Sequence, residues 1–303
     1  MSTAILIENL TKRFRDVSAV DGLNLSVPEN SIFGLVGPNG AGKTTAIKII
    51  MNILRATSGR AQVLTWDSTQ LSGAAFESIG YVSENQKLPE WMRVSEFLAY
   101  ARNFYPTWDR DLEKDLMQRF DLPPKRQLKK LSRGMRMKVA LASSLAYRPR
   151  LIVMDEPFSG LDPVVRDELI ESISERAQGS TVLISSHDLA EIESLANHIG
   201  YLEAGRLRFS ESLSSLASRF RQVDLTFAAP PTIPAQLPAS WMRLEATGTA
   251  VRFIESTFDE SKTRSEITQV FGEASSAAFT QMSLRSIFLA VARDARKHRG
   301  TSA

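Results

Sequence analysis

An apolar stretch followed directly by a glycine-rich loop is the feature that most constrains the fold of this chain. Residues 32–36 read IFGLV, a pattern typical of a strand buried on both faces of a parallel sheet. Residues 37–45 read GPNGAGKTT, and residues 45–51 then have the pattern of a helix. A strand, a glycine-rich loop and a helix in this order favour an α/β fold whose loop contacts a phosphate group.

The loop fits the pattern G-x-x-x-x-G-K-[ST], with Gly37, Gly42, Lys43 and Thr44 at its fixed positions. Glycines let backbone N–H groups turn toward phosphate oxygens where a Cβ atom would clash. The lysine can reach the β- and γ-phosphates, and the threonine hydroxyl can ligate Mg²⁺. A turn that only joins strand to helix is the alternative, but the flanking strand and helix are the setting that a nucleoside triphosphate needs. The predicted cofactor-binding residues of this loop are Gly37, Pro38, Asn39, Gly40, Ala41, Gly42, Lys43, Thr44 and Thr45.

Two acidic residues end a second apolar stretch. Residues 151–154 read LIVM, and Asp155 and Glu156 follow them. A buried parallel strand would deliver both carboxylates at its C-terminal edge, where ligands bind in open α/β sheets. Asp155 is then predicted to hold Mg²⁺ through a water molecule, and Glu156 to act as general base on the attacking water. The alternative is that the acidic pair caps the N-terminus of a helix.

Two further segments contain polar residues at the ends of elements. The strand pattern of residues 181–184 leads to His187, whose imidazole could donate a hydrogen bond to a γ-phosphate if this strand lies beside the other two. Ser132 precedes another helical pattern and has the character of an N-cap. Taken alone, the second segment predicts a capped helix whose start can bind an anion.

The composition limits the classes of protein that remain. The chain has 303 residues, 43% of them hydrophobic, which is enough for one large domain and one small one. It has no cysteine, which excludes disulfides and thiolate metal sites, and a formal charge of +3 gives no argument for nucleic acid. No stretch is apolar over the roughly 18–20 residues that cross a bilayer, and no secretion signal is apparent. We therefore expect a soluble chain that reaches a membrane only by docking.

The order and spacing of these motifs resemble those of the nucleotide-binding subunits of ATP-binding-cassette (ABC) transporters, over about residues 4–215. The resemblance implies an α/β fold of the P-loop NTPase type, with a helical subdomain at about residues 86–147 in a domain of residues 1–215. It also implies ATP and Mg²⁺ as cofactors. The family's Walker A loop, signature motif, Walker B strand, D-loop and switch histidine correspond to residues 37–45, 131–135, 151–157, 159–163 and His187.

The same resemblance assigns roles to individual residues. Glu156 and His187 are expected to be catalytic. Phe14 falls where the family stacks an aromatic ring on adenine, and Ser132 and Gly134 fall where the signature faces a phosphate. The residues expected at the metal are Thr44, Glu84 and Asp155.

The chain departs from the family pattern at two motifs. Its signature reads LSRGM instead of LSGGQ, with Arg133 in place of a glycine. Arg133 either adds a cation toward the γ-phosphate or lies in solvent. Met135 cannot make the polar contacts of the glutamine. Glu84 occupies the place of the Q-loop glutamine, and Gln86 is the substitute if the register differs by two.

In these two motifs the chain resembles the branch of the family that serves ABC-2 type exporters. Residues 103–138 resemble the YtrB-like members of that branch. In the family two subunits close head to tail, so that ATP lies between the Walker A loop of one and the signature of the other. The resemblance thus implies as partners a second ATP-binding subunit, identical or paralogous, and an integral membrane permease, with no nucleic acid. The expected location is cytoplasmic, peripheral on the inner face of the cell membrane.

The remaining segments give weaker predictions. Helices are predicted at 94–105 and 108–120, and the loop of residues 87–94 is expected to expose Trp91 and Met92, either as a local core plug or as a grip on a helix of a membrane partner. Residues 216–303 are predicted to form a small α+β domain. Its last helix ends in basic residues that either face solvent or contact lipid.

Three functions fit these observations. The first is an ATPase that drives a separate permease. The second is a soluble ABC ATPase that acts on ribosomes or DNA, which usually has two cassettes or a long coiled-coil insertion; this chain shows neither. The third is a nucleotide-gated sensor in which the C-terminal domain binds a ligand.

Overall fold

The computed structural model describes residues 2–176 and 179–300, and the chain divides into two compact units, Met1–Ser210 and Glu211–Ala303. The boundary predicted from the sequence lies between residues 215 and 216.

The first unit contains two sheets and seven α-helices within the described residues. Its strands are β1 (Thr3–Phe14), β2 (Val17–Pro28), β3 (Ile32–Val36), β4 (Ser58–Val63), β5 (Trp66–Asp67), β6 (Ile79–Ser83), β7 (Leu151–Asp155), β8 (Thr181–Ser186), β9 (His198–Glu203) and β10 (Arg206–Ser212), the last of which crosses the division between the units. Its helices are α1 (Lys43–Ile50), α2 (Gly73–Phe76), α3 (Val94–Arg102), α4 (Arg110–Arg119), α5 (Arg133–Leu145), α6 (Pro163–Arg176) and α7 (Leu189–Glu193).

The six-stranded sheet positions the candidate site. Its strand order is β10-β9-β3-β8-β7-β6, and the pairs β3–β8, β8–β7, β7–β6 and β3–β9 are parallel. Strands β7 and β8 are buried along their whole length, as expected of parallel strands covered on both faces. The three strands predicted from residues 32–36, 151–154 and 181–184 are confirmed, and they lie side by side.

The four-stranded sheet has the order β2-β1-β4-β5 and is antiparallel. Its inward residues share one core with β3 and α1, in which Ile5, Leu23, Phe33 and Ile47 are almost completely buried. This core therefore holds in place β3 and α1, the two elements that the glycine-rich loop connects.

The segment between β6 and β7 is helical, as predicted. The helix expected at 94–105 is α3, which ends at Arg102, and the helix expected at 108–120 is α4, for which Asp109 is the N-cap. The expectation for Met92 is wrong, because Met92 is buried, whereas Trp91 is 70% exposed. Met92 is held inward because its carbonyl accepts from the Leu128 amide, so the loop of residues 87–94 pairs with the segment before α5.

The second unit has the α+β composition that the sequence predicted. Its antiparallel sheet has the order β12-β13-β11-β14, with a core that includes Trp241 and Phe253 from the sheet and Ile267 from a helix. The last helix was expected to end in basic residues that face solvent or contact lipid. Most of these basic residues lie outside the part of the chain whose side chains are described. The elements are α8 (Leu213–Arg219), β11 (Arg221–Thr226), β12 (Trp241–Thr247), β13 (Ala250–Glu255), α9 (Glu260–Phe271), β14 (Ser276–Gln281) and α10 (Leu284–Gly300).

Every helix found in residues 2–176 and 179–300 is too short or too polar to cross a lipid bilayer.

Candidate active site

The glycine-rich loop connects the C-terminal end of β3 to the first turn of α1. Gly42 has a φ of 106°, and a Cβ atom there would lie 2.3 Å from the Ala19 carbonyl oxygen. A Cβ atom on Gly37 would lie 2.0 Å from the Leu202 carbonyl oxygen. Both positions therefore require glycine, for backbone conformation at Gly42 and for space at both. Helix α1 has no side-chain cap, so its first N–H groups remain free for an anion.

Lys43 is buried at the start of α1 and is held by oxygen atoms. Its Nζ donates to the carbonyl oxygen of Gly37 at 2.7 Å and lies 3.0 Å from Glu156 Oε1. Only 5% of its side chain is exposed. A buried ammonium group is stable only with such partners, and a phosphate oxygen could replace the carboxylate as one of them.

Asp155 ends β7 and is reached by two hydroxyl groups. Thr44 Oγ1 donates to its Oδ1 at 3.0 Å, and Ser185 Oγ donates to the same oxygen at 2.7 Å. Burial raises the pKa of Asp155, and the two hydroxyl donors act against that rise. Ser185 was not singled out by the sequence analysis, although it lies in the polar run that ends the strand of residues 181–184.

Glu156 links the lysine to the histidine. Its Oε2 lies 2.7 Å from His187 Nδ1, while Oε1 contacts Lys43. Glu156 has a φ of 52°, which is uncommon for a non-glycine residue, and its amide donates to Ser185 Oγ at 3.0 Å. The backbone at the end of β7 is therefore bent in a way that turns this carboxylate toward β3 and β8. Neither Asp155 nor Glu156 caps a helix within the described residues.

Glu84 follows β6 and lies beside the D-loop. Its amide donates to the Asp155 carbonyl at 3.0 Å, and its Oε1 accepts from Ser159 Oγ at 3.1 Å and from Arg133. Gln86 instead turns back on the chain, where its Oε1 accepts from the Ser83 amide at 3.4 Å. Of the two alternatives from the sequence, Glu84 is the one beside the phosphate loop.

One cavity of about 510 Å³ brings most of the predicted residues together. Its walls include the phosphate loop and residues from four other segments. The lining residues are Ala19, Asn39, Gly40, Ala41, Gly42, Lys43, Thr44, Thr45, Glu84, Glu156, Ser159 and His187.

Some predicted residues lie outside this lining. Phe14 is half exposed at the end of β1, with Lys12 Nζ 4.9 Å from its ring centroid. Ser132 caps α5, accepting from the Met135 amide at 3.2 Å, and is exposed. Gly134 is buried, and a Cβ atom there would lie 3.0 Å from a methyl group of Val165. Neither Ser132 nor Gly134 therefore lines the nucleotide cavity of its own chain.

The oxygen atoms around Asp155 fit a hard divalent cation. Thr44, Asp155 and Glu84 supply a hydroxyl and two carboxylates, and both bonds to Asp155 use Oδ1, which leaves Oδ2 available. Mg²⁺ is typically bound by one or two carboxylates together with substrate phosphates. No group of three or more histidine and acidic residues able to hold a metal alone occurs in the described part of the chain. The donor set therefore suits a cation that arrives with a nucleotide.

The chain is similar to a large set of known proteins. The family model described as "ABC transporter" matches residues 20–159. The Bacillus subtilis ABC transporter ATP-binding protein YhaQ, described as uncharacterized, is 33% identical over 228 residues, covering 73% of this chain and 76% of its own. The daunorubicin resistance ATP-binding protein DrrA3 of Streptomyces coeruleorubidus is 34% identical, covering 68% and 67%. B. subtilis YtrB, an ABC transporter ATP-binding protein, is 30% identical, covering 74% and 77%.

A solved structure shares the fold. It is described as the structure of an ATP-binding subunit of an ABC transporter, and it superposes with a TM-score of 0.65 at 25% identity, covering 71% of this chain and 92% of that chain. The likeness thus extends over most of the first unit's length in sequence and in structure.

Proposed function

Because this chain belongs to the ATP-binding proteins of ABC transporters, which are ATPases built on the P-loop fold, we propose that it drives export through a separate integral membrane permease. The observation that carries this proposal is the contact series from Lys43 through Glu156 to His187 in one cavity. Similarity to a protein named for daunorubicin resistance supports export as the direction. The proposed location is cytoplasmic, on the inner face of the membrane.

The geometry supports distinct roles for the three residues. When ATP binds, the Lys43 ammonium exchanges the Glu156 carboxylate for phosphate oxygens, which frees Glu156 Oε1 to accept a proton from water. His187 keeps hold of Oε2 and so fixes the direction of the carboxylate. Bound Mg²⁺, held by Thr44, Asp155 and Glu84, would supply positive charge that stabilises the negative charge developing on the phosphate oxygens.

A second subunit is proposed to complete the site. Ser132 is exposed at the start of α5 and takes no part in the cavity of its own chain. Two helix starts that suit an anion, at α1 and α5, can serve one nucleotide if two copies meet head to tail. Closure on ATP and opening after hydrolysis would then be the power stroke passed to the permease.

An aromatic groove supports the permease as partner. It is a cavity of about 420 Å³ lined by α3, the segment after α1, β6 and the end of α5. Its walls include Tyr100, Phe104 and Ile53, which are 50%, 58% and 57% exposed. Tyr100 and Phe104 meet edge to face, with ring centroids 5.1 Å apart. Large exposed aromatic residues suit the apolar face of a short partner helix, and we propose a cytosolic helix of the permease as the occupant.

Site-specific photocrosslinking in cells tests this partner. A photoreactive residue at Phe104 is expected to cross-link to a multi-spanning membrane protein. The matched control is the same residue at Trp66, which is 38% exposed on β5 and outside the groove. Cross-links from position 104 only to soluble proteins, or equal labelling from both positions, would contradict the proposal.

A further inference from the structure

Two of the positions at which the chain departs from its family pattern contact each other. Arg133, in the signature motif, donates from Nη2 to Oε1 of Glu84, in the Q-loop segment 49 residues earlier. Ser159 Oγ donates to the same carboxylate oxygen at 3.1 Å. One oxygen of Glu84 is therefore held from two sides, by a cation from α5 and by a hydroxyl from the D-loop.

The D-loop is shaped to admit the guanidinium group. Gly160 has a φ of 65°, and a Cβ atom built there would lie 2.6 Å from Arg133 Nη1. A larger residue at position 160 would therefore require the Arg133 guanidinium group to move. Arg133 thus connects three segments, the Q-loop, the D-loop and the start of α5, while about half of its side chain stays exposed to solvent.

The contact leaves the other oxygen of Glu84 for a ligand. No partner of Oε2 is found among the described residues, and the side chain lines the cavity that Thr44 and Lys43 also line. The backbone is already fixed, because the Glu84 amide donates to the Asp155 carbonyl at 3.0 Å. Only the direction of the carboxylate remains to be set.

Stability alone does not explain the pair. The Arg133 side chain is 49% exposed and that of Glu84 29%, and ion pairs at such sites contribute little to stability. The position of this pair matters more, since Glu84 lines the same cavity as Glu156 and its amide donates to the Asp155 carbonyl. A glutamine in the family's Q-loop could not form an ion pair with an arginine, whereas the Glu84 carboxylate pairs with Arg133.

We propose that Arg133 is a positioning residue for the metal site: it fixes Glu84 through Oε1 so that Oε2 is presented to the divalent cation beside Thr44 and Asp155. The inference rests on the proposed function, and it assigns the arginine in the signature to the cation site of its own subunit rather than to the partner's phosphate. In this arrangement a Q-loop glutamate and a signature arginine form one functional unit.

Mn²⁺ binding in the presence of ADP, followed by electron paramagnetic resonance, tests the inference without turnover. Arg133→Ala is expected to weaken Mn²⁺ binding by about tenfold, as removal of a residue that orients a metal ligand typically does. Glu84→Gln should weaken it as well, and Arg133→Ala added to Glu84→Gln should cause no further loss, because the arginine acts through the carboxylate. Arg133→Lys should restore part of the affinity.

Controls separate a positioning role from damage to the fold. Arg60→Ala breaks another exposed ion pair, with Glu8, far along the antiparallel sheet, and is expected to leave Mn²⁺ binding unchanged. Metal-free ADP affinity should be equal in wild type and Arg133→Ala. Wild-type Mn²⁺ affinity in Arg133→Ala, or losses that multiply in the double variant, would overturn the inference. An inactive wild-type protein would instead count against the proposed function.

Discussion

At the scale of single residues, the sequence predicted chemical roles better than it predicted partners. The pattern of residues 37–45 indicated Lys43 as a phosphate ligand, yet its contact with Glu156 follows from the bend of the chain after β7. Ser185 was missed because a serine at the end of a strand is common. The role of its hydroxyl follows only from the register of β7 and β8, which places Ser185 beside Asp155.

Glu156→Gln tests the proposed general base. The amide keeps the size of the side chain, and its oxygen can still accept from Lys43, so ATP binding should persist. Loss of the base should lower kcat by about 10²–10⁴-fold. ATP binding measured by calorimetry and phosphate release measured under single-turnover conditions check both parts. Glu8→Gln, on the surface of β1, is the control, and turnover at the wild-type rate in Glu156→Gln would remove this residue from the mechanism.

Ser185→Ala tests the residue that sequence analysis missed. The change removes one of two donors to Asp155 Oδ1 and the hydroxyl that accepts from the Glu156 amide. We expect a loss of about 0.5–1.5 kcal/mol of stability for each hydrogen bond. Ser185→Thr, which keeps the hydroxyl, should recover part of this loss. Urea unfolding that gives the same midpoint for Ser185→Ala and wild type would show that these bonds do not matter.

At the scale of elements, the strands that carry the site were predictable and several others were not. Continuous apolar runs such as that of β7 are typical of covered parallel strands. Strands β1 and β2 are twelve residues each, and register shifts interrupt their pairing. Because of these shifts, apolar and polar residues do not alternate regularly along the two strands in the sequence. Strand β14 reads SAAFTQ, whose small residues give little β signal, and its place in the sheet comes from pairing with β11.

Helix α7 carries a buried carboxylate that makes stability depend on pH. Glu191 is 7% exposed, and its Oε2 accepts from Ser186 Oγ at 2.5 Å. Burial raises the pKa of Glu191, so the folded chain binds this proton more tightly than the unfolded chain does. The destabilisation is therefore largest above the folded-state pKa, and it disappears as pH falls below the unfolded-state pKa.

Glu191→Gln is expected to stabilise the protein at neutral pH, since the amide oxygen can keep the bond from Ser186 without a buried charge. In a protein of this size each kcal/mol corresponds to roughly 2–4 °C in Tm. The gain should shrink as the pH is lowered toward 4, near the ordinary pKa of a glutamate. Calorimetry at several pH values measures it, and Glu193→Gln on the same helix is the control. A gain that is the same at every pH would contradict the assignment to this charge.

At the scale of the whole molecule, the sequence indicated that one chain does not contain a complete site. Two helix starts suited to an anion occur in one subunit, and the structure places Ser132 outside the cavity that holds Lys43. Their meeting across two copies rests on the proposed function, because helix starts alone do not specify a partner. The second unit, with its own sheet and core, carries none of the motifs discussed above.

Mixing two inactive variants tests the head-to-tail arrangement. Ser132→Arg should leave ATP binding to one subunit nearly unchanged, because Lys43 and the loop backbone are intact, but the bulky side chain should block closure on the partner's nucleotide. Lys43→Ala should weaken binding itself. In a mixed dimer, one interface site then carries both lesions and the other carries neither.

ATPase activity should therefore appear only when the two variants are mixed, and it should rise with protein concentration more steeply than linearly where dimers are scarce. Wild-type protein titrated over the same concentrations is the control for self-association, and Ser132→Ala, which removes the cap without adding bulk, controls for damage to α5. The competing arrangement has each subunit hydrolyse ATP by itself. It requires Ser132→Arg to stay fully active with a rate strictly proportional to concentration, and that result would exclude a shared site in this chain.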